Sequence, residues 1–189
     1  MILASGSPQR RAILEQLGVA FNVVVPGVEE LMAGPPEEIA LANAFRKASA
    51  VATGQQASGN GETVLGVDTL VALGSRVYGK PADRESAAAT LRALGGRRHR
   101  VISGVCVIED GRARTATAVT TVDFRPLGEA ALGWYLDTGE WEGRAGGYAI
   151  QGLGAALVQR IDGDYLNVVG LPVATLLDLL PSLLFPAVS

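Results

Sequence analysis

Apolar and polar positions follow two periods along this chain, and the switches between them divide it into strands, helices and turns. Residues 2–4 (Ile-Leu-Ala) form a short apolar run, and Ser5-Gly6-Ser7 behind them is a turn of small residues. From Pro8 onward Arg10, Ile13, Leu14 and Leu17 recur at i, i+3, i+4 and i+7, the spacing of one helical face. Ser7 as cap, Pro8 at the first helical position and Gly18 past the end complete a strand–turn–helix unit. Phe21–Val25 is β-branched and stops at Pro26-Gly27, which predicts a strand. Pro35-Pro36-Glu37-Glu38 opens a predicted helix through about Thr53, with Leu41, Ala44, Phe45, Ala48 and Val51 as its inward stripe. The Gly-, Ser-, Gln- and Asn-rich segment 54–62 reads as a surface loop. Residues 63–73 are almost continuously apolar, the signature of a strand buried on both faces. A hairpin at Gly74-Ser75 and a helix between Asp83 and Gly95-Gly96 come next. A strand at 101–108, an Asp110-Gly111 turn and a long strand at 113–124 follow. A helix at 129–136, a glycine-dense stretch at 142–154, a strand at 156–161 and a final apolar helix close the order. Hairpins mixed with at least one crossover predict a mixed-sheet α/β fold, with the whole of 1–189 as a single domain.

Composition narrows the function classes. A hydrophobic content of 48% over 189 residues is that of a globular chain with a substantial core. The net charge of −3 and pI near 5.2 argue against a nucleic-acid binder that works through bulk positive charge, so an anionic ligand must be held by local cations. Cys106 is the single cysteine, which leaves no disulfide framework or cysteine metal cluster and predicts a reducing, cytoplasmic setting. The chain starts directly on a strand pattern, so no signal peptide is expected. Asp178, Pro181 and Pro186 interrupt the apolar stretch 173–188 short of the roughly 20 residues that span a bilayer. A buried or dimer-contacting helix is expected there, with no membrane association.

Several charged or polar positions stand out against the apolar pattern. Arg10 heads the buried stripe of its helix while Arg11 points about 100° away. A guanidinium so placed needs an anion, a structural carboxylate or a carbonyl, and the free N–H groups of the helix N-terminus beside it suit phosphate. Asp68 interrupts the apolar run 63–73, where a carboxylate is costly unless a metal, a cation or several donors satisfy it; such residues are disproportionately catalytic. Lys47 lies on a small-residue edge beside Ala40, Ala44 and Val51, either reaching a phosphate or snorkelling to the surface. Glu29-Glu30, just past a strand end, suits a divalent cation and is also ordinary loop composition. Within the glycine-dense stretch, Gln151 offers a carbonyl acceptor beside an amide donor, matching the N3–H and O4 edge of uracil or thymine but not cytosine. Lys80 precedes the helix capped by Asp83. Of Arg97, Arg98, His99 and Arg100, most are expected to face solvent, and His99, the only histidine, carries no assigned role.

Taken in order, LASGSPQRR (3–11), GVDT (66–69), YGKP (78–81), RAGGYAIQG (144–152) and NVVGLP (167–172) resemble the Maf family of nucleoside triphosphate pyrophosphatases over essentially the whole chain. The resemblance implies a fold similar to the inosine triphosphate pyrophosphatases: a long bent mixed β-sheet flanked by helices in two lobes around a cleft. It implies hydrolysis of a nucleoside triphosphate to monophosphate and pyrophosphate, house-cleaning of the nucleotide pool, with Mg²⁺, Mn²⁺ or Co²⁺ as cofactor; the homodimer expectation comes instead from the apolar C-terminal helix. By motif, Asp68 matches the proton acceptor and Glu30 a polar cleft position; Glu30 and Asp68 are the two carboxylates expected to hold the metal. Ser7, Arg10, Lys47, Thr69, Lys80 and Gln151 match substrate-binding positions. Gln9, Thr69 and Gln151 match positions tied to base choice. Gln9 departs from the family pattern, in which an arginine usually stands, and Arg144 stands where lysine is common. The form AGGYAIQG looks like the branch that prefers dTTP and UTP rather than the one acting on 7-methyl-GTP. Two alternatives stay open: a non-catalytic nucleotide-binding regulator, for instance of cell division, and the same chemistry on modified nucleotides.

Overall fold

The computed structural model of the chain describes residues 1–57 and 62–185; part of the expected loop at 54–62, and residues 186–188 of the C-terminal stretch, lie outside the described residues. Strands are β1 (Ile2–Ala4), β2 (Asn22–Val23), β3 (Val64–Leu73), β4 (Arg76–Tyr78), β5 (Arg98–Glu109), β6 (Arg112–Phe124) and β7 (Val158–Asp162). The α-helices are α1 (Pro8–Gln16), α2 (Pro36–Ala57), α3 (Arg84–Leu94), α4 (Glu129–Asp137), α5 (Tyr165–Val169) and α6 (Val173–Leu179). The strands form one mixed sheet in the order β2-β1-β3-β5-β6-β7, with β4 pairing β3. β1 runs parallel to both β2 and β3, whereas β4 is antiparallel to β3 and β7 to β6. Asp110 (φ 50°) and Gly111 (φ 73°) make the tight turn between β5 and β6, both in the left-handed region that a two-residue hairpin demands.

By contacts the chain divides into two compact units, one made of residues 1–69, 103–118 and 170 onward, the other of 70–102 and 119–169. In the first, Ile2, Ala4, Ala44, Ala48, Val51, Val64, Cys106 and Ile108 form a core. Helix α2 lies against the strand backbones because Gly66 and Gly104 leave room for it: a Cβ on Gly66 would overlap the Ala44 carbonyl and one on Gly104 the Ala40 carbonyl. The buried face of α2 is Ile39-Ala40, Asn43-Ala44, Lys47-Ala48 and Val51-Ala52. Phe45, expected on that stripe, is exposed, so the true face is rotated from the expected one and carries two polar residues. The expected strand at 21–25 shrinks to Asn22–Val23.

In the second unit, Leu91, Leu94, Val101, Phe124, Leu132, Tyr135, Trp141 and Tyr148 belong to one core. Helix α3 starts where expected: the Ser86 N–H donates to the Asp83 carboxylate at 2.7 Å and the Asp83 N–H donates to Ser86 Oγ at 3.1 Å, a reciprocal capping box. Strand β5 begins at Arg98, three residues earlier than expected, which carries His99 into the core. Strand β7 starts late, at Val158, because 153–157 wind into a 3₁₀ turn. The final apolar stretch, in the first unit, breaks into α6 and a 3₁₀ turn at Pro181–Leu183, and α6 turns Val173 and Leu176 into the protein's own interior. Among the described residues no helix is long and apolar enough to cross a membrane.

Candidate active site

Strand β3 carries Asp68 into the first unit and buries it to 7% exposure. Across from it, α2 presents Lys47 one turn after Asn43, so both reach the same carboxylate. Lys47 Nζ donates to Asp68 Oδ1 at 2.6 Å and Asn43 Nδ2 donates to Asp68 Oδ2 at 3.0 Å. Lys47 also donates to Glu30 Oε1 at 2.5 Å. The lysine expected either to reach a phosphate or to snorkel is in fact buried between two acids. Each Asp68 oxygen accepts one of these two bonds, leaving acceptor capacity on both.

Asn43 does more than satisfy Asp68. Its Nδ2 also donates to the Leu31 carbonyl at 3.0 Å and its Oδ1 accepts from the Leu31 N–H at 2.7 Å, a two-point clamp on the residue after Glu30. One amide thereby fixes the loop bearing one acid and touches the other acid directly. Asn43 is not among the residues that the sequence pattern singles out, because an asparagine on a helix carries no charge to betray it.

Arg10 is buried at the head of the α1 stripe, as its spacing predicts, with Arg11 exposed. Among the described residues no carboxylate touches it. Its Nε donates to the Gly170 carbonyl at 2.9 Å, Nη1 to Ser5 Oγ at 2.8 Å and Nη2 to Thr69 Oγ1 at 3.1 Å. Burial pulls the guanidinium below its ordinary value, and the charges of Asp68 and Glu30 oppose that pull. Arginine remains protonated throughout the working pH range. Thr69 Oγ1 shares a further hydrogen bond of 2.8 Å with Ser103 Oγ, so Ser5, Arg10, Thr69 and Ser103 form one polar cluster beside Asp68 in sequence. Ser5 and Ser103, both buried, were absent from the expected set; small hydroxyls in strands and turns are too common to single out. Ser7 takes the N-cap backbone conformation, yet its hydroxyl donates to Gln9 Oε1 at 3.1 Å instead of capping α1.

A model of the family described as Maf-like protein matches residues 1–183. The chain belongs to the Maf family. Among its relatives, a dTTP/UTP pyrophosphatase of Gloeobacter violaceus is 45% identical over 182 residues, covering 95% of this chain and 94% of the relative. Proteins of the same description from Symbiobacterium thermophilum (43% over 188 residues, 98% and 95% covered) and Deinococcus radiodurans (45% over 181 residues, 95% and 91% covered) are similar to it to the same degree.

Of the residues that the Maf resemblance singles out, Arg10, Glu30, Lys47, Asp68 and Thr69 meet in the first unit, and Ser7 and Gln9 bond to one another at the start of α1 in that same unit. Lys80 and Gln151 belong to the second unit, Lys80 exposed just past β4 and Gln151 exposed in the glycine-dense loop. Among the described residues no group of three or more His, Cys, Asp or Glu side chains gathers as a metal cage. Glu30 and Asp68 nonetheless both direct an oxygen at one cationic position, the Lys47 ammonium. These two carboxylates are the residues that could hold a divalent cation such as Mg²⁺, which takes one or two carboxylates with water and substrate phosphates, once Lys47 gives up its contacts with them.

Proposed function

We propose that the protein is a nucleoside triphosphate pyrophosphatase that converts a triphosphate, with dTTP and UTP preferred, to the monophosphate and pyrophosphate. The observation that carries this reading is a buried carboxylate, Asp68, held between the Lys47 ammonium and the Asn43 amide, with the Arg10 guanidinium in electrostatic reach. Support comes also from relatives of 43–45% identity described as dTTP/UTP pyrophosphatases.

In the reaction, water attacks the α-phosphorus, the new P–O bond forms as the bond to the bridging oxygen breaks, and pyrophosphate leaves with the electron pair. Asp68 accepts the proton that the water loses, using acceptor capacity left beside its bonds to Lys47 and Asn43. Lys47 and Arg10 stabilise negative charge on the phosphates, with Lys80 in the same role. Thr69 and Gln151 discriminate the base, and Ser7 and Gln9 bear on substrate at the start of α1. Glu30 and Asp68 are the residues that would hold a divalent cation, which supplies charge neutralisation of the polyphosphate.

The deciding experiment is a panel of canonical and modified triphosphates with Mg²⁺, Mn²⁺ and Co²⁺, or with a chelator, reading monophosphate, pyrophosphate and orthophosphate separately. Equal amounts of monophosphate and pyrophosphate, with dTTP and UTP fastest and no turnover under chelation, are expected. Orthophosphate as first product overturns the bond assignment, and tight binding without turnover favours a nucleotide-binding regulator.

A further inference from the structure

The glycine-dense loop of the second unit is pinned on both sides of Gln151 by side chains from outside it. Upstream, the Ala149 N–H donates to the Tyr135 hydroxyl oxygen at 2.9 Å, a buried bond from the loop to helix α4. The Gly152 N–H donates to the Ala149 carbonyl at 3.1 Å, closing a turn with Ile150 and Gln151 at its centre. Ile150 is buried in the core of this unit and Gln151 is exposed. Downstream, Glu140 grips the chain: Oε1 accepts from the Leu153 N–H at 3.0 Å and Oε2 from the Gly154 N–H at 3.1 Å. The same carboxylate lies over Gly152, where an added Cβ would come within 2.5 and 2.7 Å of its two oxygens. Among the described residues no hydrogen bond is made to the Gln151 side chain, so the turn beneath it, which sets its Cα–Cβ bond, is what places it.

We infer that Glu140 is a positioning residue for base selection: by gripping the Leu153 and Gly154 N–H groups it fixes the turn that presents Gln151 to a pyrimidine edge. This rests on the proposed pyrophosphatase reading. A carboxylate suits the task because both oxygens accept at once, giving the backbone two fixed points, while a charged acceptor makes the stronger bond to N–H. The bare Cα of Gly152 lets that carboxylate approach.

The test compares kcat/KM for dTTP, dCTP and base-free tripolyphosphate in the wild type, Glu140→Ala, Glu140→Gln, Gly152→Ala and Gln151→Ala. Glu140→Ala is expected to lower the dTTP-to-dCTP preference by about tenfold, the scale of a displaced recognition group, while tripolyphosphate hydrolysis holds within about twofold. Gly152→Ala, which forces the carboxylate away, is expected to match it, Glu140→Gln to fall between, and Gln151→Ala to set the floor. An unchanged preference in Glu140→Ala and Gly152→Ala overturns the inference, as does an equal loss on all three substrates, which is what a merely structural role gives. If Glu140→Ala does not fold, the Gly152→Ala and Glu140→Gln ratios decide alone. Wild-type protein that turns over no triphosphate overturns the pyrophosphatase reading itself, whereas active wild type whose preference survives both variants overturns only the role of Glu140.

Discussion

Lys47, Asp68 and Asn43 make a case in which charge, burial and function pull on the same atoms. An ion pair with both side chains at or below 10% exposure loses most of its Coulomb gain to desolvation, so its presence is weak evidence for stability, while its disruption is costly. Lys47→Met is therefore expected to destabilise the fold by about 3–5 kcal/mol in urea unfolding, because Asp68 is left charged and buried. Asp68→Asn is milder for stability, since Lys47 keeps Glu30, yet it is expected to lower pyrophosphate release by at least about 100-fold. The double variant Lys47→Met/Asp68→Asn should regain much of the stability lost by Lys47→Met, and simple additivity of the two singles would refute the coupling. His99 supplies an independent check in the second unit. Its ring packs edge-on against Phe124 and Tyr148, and Nε2 lies 3.0 Å from the Tyr148 hydroxyl. Burial pushes it down from 6.5 to about 4. Below pH 6.5 the unfolded chain takes up a proton that the native ring refuses, so stability is full above that pH and falls as pH drops toward 4. The native protein should lose about 2 kcal/mol between pH 7 and pH 5 in urea titrations. That loss should largely vanish in His99→Gln.

At the scale of elements, the placement of α2 decides whether the acids and the lysine meet. Its small face, Ala40, Ala44 and Ala48, lies on the bare backbones of β3 at Gly66 and β5 at Gly104. Gly66→Ala, or Gly104→Ala, would drive a methyl group into a helix carbonyl. Either change is expected to cost about 1–3 kcal/mol by overpacking and to depress kcat by shifting Lys47 and Asn43 from Asp68; full activity with native stability would refute the close contact. The same helix explains what the amino-acid pattern conceals. Its existence and its start were legible from Pro36, Glu37, Glu38 and the apolar periodicity, but its face was not. Two of the inward positions are Asn43 and Lys47, so counting apolar residues rotates the stripe toward Leu41 and Phe45, and Phe45 is exposed. Asp68 and Arg10 were legible for the converse reason: a charge inside an otherwise apolar period has no cheap place to go. Asn43, Ser5 and Ser103 left no such trace, since neutral polar groups become informative only when their partners, distant in sequence, are known.

At the scale of the whole chain, the division into two compact units runs through strands, not between them. Each of β3, β5 and β6 contributes residues to both units: the boundary falls after Thr69 in β3, after Ile102 in β5 and after Ala118 in β6. A strand that loses pairing at one end exposes backbone donors and acceptors along the remainder, so local melting in one unit removes ladder bonds that begin in the other. This continuity predicts one cooperative transition. Both tryptophans, Trp134 and the buried Trp141, lie in the unit of residues 119–169, so fluorescence reports on that unit. The longest helix, the 22-residue α2, lies in the other and weights far-UV circular dichroism toward it. Coincident urea midpoints by the two probes are the expected result, as two-state unfolding requires. A fluorescence transition that precedes the loss of helix would mean that the shared strands do not transmit unfolding, and that the unit carrying Gln151 and Lys80 can open while the Asp68 cluster stays intact.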